Sequence, residues 1–168
     1  MKEQINIYIE KQLNALSVIL SEYVEPQKPL VSTEIIDNFP ENIADLPLRE
    51  LMNLWTVCTA WETYTLQQLA RVDTQVMTYK VIQNYVYNLY MINMVDTETK
   101  KKFSSKELRE SYVVTRPEYI EAEDKLLSFE LQRKILDSYL KSYNEKSALC
   151  SRDLTRRGAV NEMDNKLT

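Results

Sequence analysis

Apolar residues recur at three- and four-residue steps along most of the chain, and seldom in the alternation that a half-buried strand requires. Ile5, Ile9, Leu13, Leu16, Leu20 and Tyr23 trace one stripe on a first helix, which Pro26 and Pro29 stop. Four prolines and an acidic, turn-prone mixture fill the stretch to Pro47, with room for one short helical turn over residues 33–37. The pattern therefore predicts an N-terminal helical arm over residues 1–25 and a proline-containing linker over 26–46.

Asp45 is placed as an N-cap and Pro47 fits a first turn, where its missing N–H costs nothing. No breaker follows until after Asn93, so a helix of about 45 residues is expected, far above the common length. With Leu48 as a and Leu51 as d, a heptad row continues through Trp55, Cys58, Glu62, Thr65, Leu69, Val72, Val76, Tyr79, Gln83, Val86 and Tyr90. Residues 81–95 carry no charge, and their apolar side chains cover every side of a helix. One partner helix cannot hide them all. The expectation is burial among several helices including other subunits, with Tyr85, Val86, Leu89, Tyr90 and Ile92 at an oligomer interface.

Residues 97–109 are polar and Lys-rich, as in a hairpin loop leading to a short helix capped at Ser104 or Ser105, with Glu107 set for a capping box. Thr115, Pro117 and Glu118 then open a last helix running to Arg157, where Gly158 can form a left-handed cap. Its seam reads Tyr119, Ala122, Leu126, Phe129, Arg133, Leu136, Leu140, Tyr143, Ser147 and Cys150, and Leu136, Leu140 and Tyr143 join the expected oligomer interface. Two long helices joined by a short connection should pack antiparallel. The fold class is thus all-α: a long antiparallel helical hairpin or coiled coil over residues 47–157, an N-terminal helical arm, a disordered tail over 158–168, and self-association.

Composition narrows the chemistry. The chain of 168 residues has one glycine and no histidine, which removes Gly-rich phosphate loops, His-dependent triads and His-containing zinc sites. No hydrolase constellation can be assembled around the many Ser, Thr and Tyr residues, so no catalytic residue, metal site or cofactor is expected and the protein reads as a non-enzyme. Cys58 and Cys150 each fall at an apolar position without CxxC spacing, as buried reduced thiols do. Glu118, Glu121, Glu123 and Asp124 sit where the helix macrodipole favours acids, which accounts for them without a metal. The opening residues lack a secretory apolar run and no membrane-length stretch follows, so the expected location is cytoplasmic, that of the host if the chain is phage-encoded.

The net charge of −4 is unevenly spread. Residues 1–47 carry 3 basic and 8 acidic side chains, residues 48–95 carry 3 and 3, and residues 96–168 carry 15 and 14. Two basic clusters stand out: Lys100, Lys101, Lys102 and Lys106 around Phe103, and Arg152, Arg156 and Arg157 near the end of the last helix. Clustered ammonium groups beside an aromatic suit single-stranded nucleic acid, cations meeting phosphates and a ring meeting a base. The arginines also suit the negative end of a helix.

The run A-W-E-T-Y-T-L-Q-Q-L-A-R-V-D within residues 51–80 resembles small phage recombination mediators of the UvsY kind. So do the basic break, S-S-K-E-L-R-E-S-Y, P-E-Y-I-E-A-E-D-K-L-L and the closing S-R-D-L-T-R-R. The likeness covers about two thirds of the chain; the acidic first 47 residues and the short basic break depart from it. It implies a non-enzymatic homo-oligomer that binds single-stranded DNA and helps a RecA-like recombinase displace single-stranded DNA-binding protein. No family DNA contact transfers residue by residue, so Lys100, Lys101, Lys102, Phe103, Lys106, Arg152, Arg156 and Arg157 are nominated from charge and ring chemistry alone. The alternative is a helical phage scaffold or adaptor working only through protein–protein contacts.

Overall fold

The computed structural model describes residues 1–23, 25–93 and 105–167, with side chains to Gly158. In chain order the elements are α1 (Lys2–Glu22), α2 (Glu34–Asp37), a 3-10 turn (Ile43–Asp45), α3 (Leu48–Asn93), α4 (Lys106–Val113) and α5 (Pro117–Leu167). Among the described residues there is no strand. The chain divides into two compact units: Met1–Val24 with Ala70–Arg133, and Glu25–Leu69 with Lys134–Thr168. Helices α3 and α5, of 46 and 51 residues, contribute to both.

In the first unit the core is Ile5, Ile82, Val86, Tyr90, Val113 and Ala122, with Ile9, Leu13, Tyr79 and Tyr119 packed against it. Asp73 meets Arg133, Lys80 meets Glu130 and Gln83 meets Tyr119, so the two long helices run antiparallel here. Helix α1 is not an arm. Its stripe is the one read from sequence, but Ile5 is fully buried on α3 and Tyr8 stacks on Tyr85 with ring centroids 3.6 Å apart. The charge-free stretch thus finds its several covering helices within its own chain.

Ser105 is the N-cap of α4, its hydroxyl accepting from the Leu108 N–H and donating to the Glu107 carboxylate. Glu107 is therefore one position early for the reciprocal bond of a capping box. Arg116 precedes α5, because Thr115 turns its hydroxyl back to the Tyr112 carbonyl while the Arg116 carbonyl accepts the first helical bonds.

The second unit is centred on Ile36, Leu51, Leu54, Val57, Cys58, Trp61, Tyr143 and Cys150. Asn144 donates to Glu62 at 2.9 Å, and Thr59 lies beside Ser147, so α3 and α5 are again antiparallel. The stretch expected to be a linker is part of this core. Ile36 on α2 is fully buried, and Phe39, Ile43 and Leu46 pack beside it. Asp45, expected as the N-cap of α3, is instead the last residue of the 3-10 turn, whose own N-cap Asn42 accepts from the Ala44 N–H. Pro47 lies just before α3, where its carbonyl accepts from Glu50 and Leu51.

The heptad row on α3 drifts. At its start the expected Leu51, Cys58 and Thr65 are buried, but Leu54 and Trp61 are buried where Leu48 and Trp55 were expected; from Leu69 onward the expected positions hold at Leu69, Val72, Val76, Val86 and Tyr90. A straight helix of 3.6 residues per turn slips against a 3.5-residue repeat, and the packed 34–46 segment draws the early face toward Leu54. The α5 seam is as read, apart from Arg133, which stays exposed and pairs with Asp73 on α3. Helix α5 does not close at Gly158. A Cβ there would meet nothing, no left-handed backbone is present, and the helix continues to Leu167. One glycine costs only about 1 kcal/mol in a helix, and Ala159, Glu162 and Met163 follow with no proline.

Candidate functional site

Of the nominated DNA contacts, Lys100, Lys101, Lys102 and Phe103 lie outside the described residues. Lys106 opens α4 with its side chain 70% exposed and its ammonium 3.5 Å from Glu110. A surface pair of this kind leaves the ammonium available to another anion.

The arginine cluster divides. Arg152 is exposed and donates to the Ala148 carbonyl. Arg156 reaches Asp153 at 2.6 Å with most of its side chain in solvent. Arg157 is held by structure: Nε donates to Asp153 at 2.7 Å, and its two NH groups donate to the carbonyls of Leu46, Ile43 and Ala44 at 2.6, 3.1 and 2.8 Å. Those carbonyls belong to the 3-10 turn and its end, so Arg157 ties that turn to α5. Burial raises the Asp153 carboxyl, but the hydrogen bonds of Arg157 and Arg156 outweigh it and leave the carboxyl below its ordinary value. Lys146 acts similarly, donating to the Ile36 carbonyl at 2.8 Å.

The expected interface residues are mostly committed inside the chain. Val86, Tyr90 and Tyr143 are buried in their own units, Tyr85 stacks on Tyr8, and Leu89, Leu136 and Leu140 are half-buried. Ile92 alone among them is exposed, at 63%. Tyr87 and Tyr90 satisfy their hydroxyls on Glu110 and Glu118 at 3.1 and 2.9 Å. Burial, followed by the bond to Glu118, pushes the Tyr90 phenol up to about 12. Cys58 and Cys150 are free and buried, and burial, then the neighbouring Cys150, pushes the Cys58 thiol up to about 11. Among the described residues no group of His, Cys, Asp or Glu is placed to hold a metal ion, and no helix is long and apolar enough to cross a membrane.

A groove of about 760 Å³ in the second unit escapes the sequence reading. Its walls are the segment 28–33, Trp61, Tyr64 and Thr65 on α3, and Leu136, Tyr139 and Tyr143 on α5. The Trp61 indole N–H donates to the Val31 carbonyl at 3.0 Å, which holds the segment over the ring. Lys28 places its ammonium 5.7 Å from the same ring. Tyr64 meets Trp61 edge-on at 5.6 Å, while Tyr139 and Tyr143 lie nearly parallel at 6.2 Å. The available signal was the spacing of Trp61 with Tyr64 and of Tyr139 with Tyr143, which put aromatic pairs on one helix side. Nothing local in the sequence showed that residues 28–33 would bring them together. Comparison of the chain with known protein families, curated proteins and solved structures gives no match.

Proposed function

We propose that this chain is a non-enzymatic helical protein that binds single-stranded DNA and assists the loading of a RecA-like recombinase as a recombination mediator. The observation that carries the reading is the exposed cationic start of α4. Lys106 stands in solvent in the first turn, directly after Ser105 and the sequence Lys100-Lys101-Lys102-Phe103. Arg152 is a secondary candidate, whereas Arg157 is set aside because its guanidinium is occupied by Asp153 and three carbonyls. Self-association would multiply such weak sites, and avidity offsets the net acidity of the chain.

A gel-shift titration with a single-stranded oligonucleotide at low and moderate salt tests this. Counterion release makes affinity fall steeply with salt, by a slope of about 0.7 per phosphate contact on a single strand. Replacing Lys100, Lys101 and Lys102 together by Gln should weaken binding and flatten the slope by about 2 while leaving the oligomer mass unchanged. No binding by the wild type at low salt removes the reading. The scaffold or adaptor alternative then leads, favoured by Leu127 and Leu131, which stand four residues apart on α5 and are both more than half exposed.

A further inference from the structure

We propose that the groove between segment 28–33 and the Trp61 and Tyr139 side chains is a nucleobase-and-phosphate subsite, in which a base stacks on Tyr139 and its phosphate meets Lys28. The proposal deepens the single-stranded DNA reading by naming a second contact, remote in sequence from Lys100–102. Three independent observations converge on it.

The first is charge. Among the described residues Lys28 is the only charged one lining the groove, and no carboxylate lines it. Its ammonium stands over the Trp61 face, so an incoming anion is met by a cation already held near an aromatic wall.

The second is ring geometry. A base sandwiched between two rings needs roughly 7 Å, twice the 3.4 Å stacking distance. Tyr139 and Tyr143 are 6.2 Å apart and nearly parallel, so that gap is closed. Tyr143 is buried and backs Tyr139, while Tyr139 is 53% exposed and offers its outer face. A buried ring supporting an exposed ring gives a flat platform that accepts any base, as single-strand binding requires.

The third is a hydroxyl on the groove wall. Thr56, Thr59, Thr63, Thr74 and Thr78 on α3 each turn their hydroxyl onto the carbonyl four residues earlier. Thr65, by contrast, is 4% exposed and lines the groove. A hydroxyl on the groove wall can meet the donors and acceptors that a base edge carries.

The test uses the full-length chain with Trp55→Phe, which leaves Trp61 as the sole indole because Trp55 lies outside the groove lining. Decathymidylate and thymidine monophosphate are titrated separately against its fluorescence, with gel shift run in parallel on chains that retain Trp55. Expected are saturable quenching of Trp61 by the oligonucleotide, a loss of ~5- to 150-fold in affinity for Tyr139→Ala, and a salt slope lowered by about 0.7 for Lys28→Gln. Tyr139 is exposed enough that its truncation spares the fold, which circular dichroism checks. Thr65→Val separates binding from structure: it should weaken binding while leaving the circular dichroism spectrum unchanged. Gel-shift binding with no Trp61 quenching and wild-type affinity in Tyr139→Ala overturns the subsite and leaves the DNA reading standing. Quenching by thymidine monophosphate without oligonucleotide binding supports the subsite as one for a free nucleotide and removes the DNA reading. Neither quenching nor a gel shift overturns both.

Discussion

Truncating Ile5 to Ala should release helix α1 from the first unit, and the size of the effect follows from its surroundings. Ile5 has no exposed surface and packs with Ile82, Val86, Tyr90, Val113 and Ala122. Large-to-small changes at such sites cost about 2–5 kcal/mol, the transfer of the lost methylenes plus the cavity left behind. Alanine recovers a few tenths through its higher helix propensity, so the net loss is roughly 2–4 kcal/mol. Opening of α1 then becomes ~30- to 900-fold more frequent, up to the limit set by the free energy that docks the helix at all.

Native-state hydrogen exchange on the α1 amides reads this directly. It is better suited than one melting temperature, because a chain with two compact units need not unfold in a single step. Ile7→Ala is the internal control: Ile7 lies on the same helix but is 60% exposed, and its truncation should cost no more than ~0.5 kcal/mol. If Ile5→Ala leaves α1 protection within about threefold of the wild type, or matches Ile7→Ala, α1 is the free arm that its flanking prolines suggest and the core described here is wrong.

Three further outcomes follow from titratable groups. Glu118 is raised by burial but lowered more by a backbone N–H, the Tyr90 hydroxyl and Lys2, and Asp153 is lowered by Arg157 and Arg156. Both carboxylates hold protons less readily folded than unfolded, so their stabilisation is present above the ordinary carboxylate range and is lost as pH falls through it. The urea midpoint should drop on acidification, and Asp153→Asn should flatten that drop; an unchanged pH profile counts against the Arg clamp. Tyr90 runs the opposite way: its phenol sits near 12 folded against 10 unfolded, so its stabilisation is complete below pH 10 and is lost between pH 10 and 12. Tyr90→Phe should show a shallower alkaline loss in a urea titration, and an identical loss refutes a phenol raised by burial and the Glu118 bond. Cys58, pushed up to about 11, holds roughly a hundredfold less thiolate at pH 8 than a thiol of pKa 9.0. Iodoacetamide should therefore label it far more slowly in the native protein than in urea, and equal rates would place the thiol at the surface.

What sequence made legible was local. The extents of α3 and the start of α5, the turn at residues 33–37, the Ser105 cap and the α5 seam all follow from periodicity, prolines and caps acting over a few residues. The misses share a different cause. The stripe on α1 states that the helix has an apolar face, but the partner of that face lies some eighty residues away at Ile82 and Val86. Ile36 and Phe39 sit among prolines and acids that read as a linker, and only the second unit supplies the Leu51, Leu54 and Cys58 side chains that bury them. Trp61 rather than Trp55 turns inward for the same reason, and the groove over Trp61 needs three chain segments at once.

The same long-range packing changes what self-association can use. An interface at residues 81–95 is expected because one partner helix cannot cover an uncharged stretch apolar on every side. That premise stands, but the first unit answers it with α1, α4 and α5. Tyr87 and Tyr90 then place their hydroxyls on Glu110 and Glu118, so the polar ends of these rings need no other subunit. Tyr90→Lys would consequently bury a charge in this core and unfold the unit, and so reports on stability rather than assembly. Ile92→Lys, at an exposed site in the last turn of α3, separates the two. If it lowers oligomer mass by light scattering while hydrogen exchange in α1 stays as in the wild type, the interface survives in reduced form at that end of the helix. If the wild type is an oligomer and its mass is unchanged, its assembly draws on other apolar side chains that remain outward, such as Leu127 and Leu131.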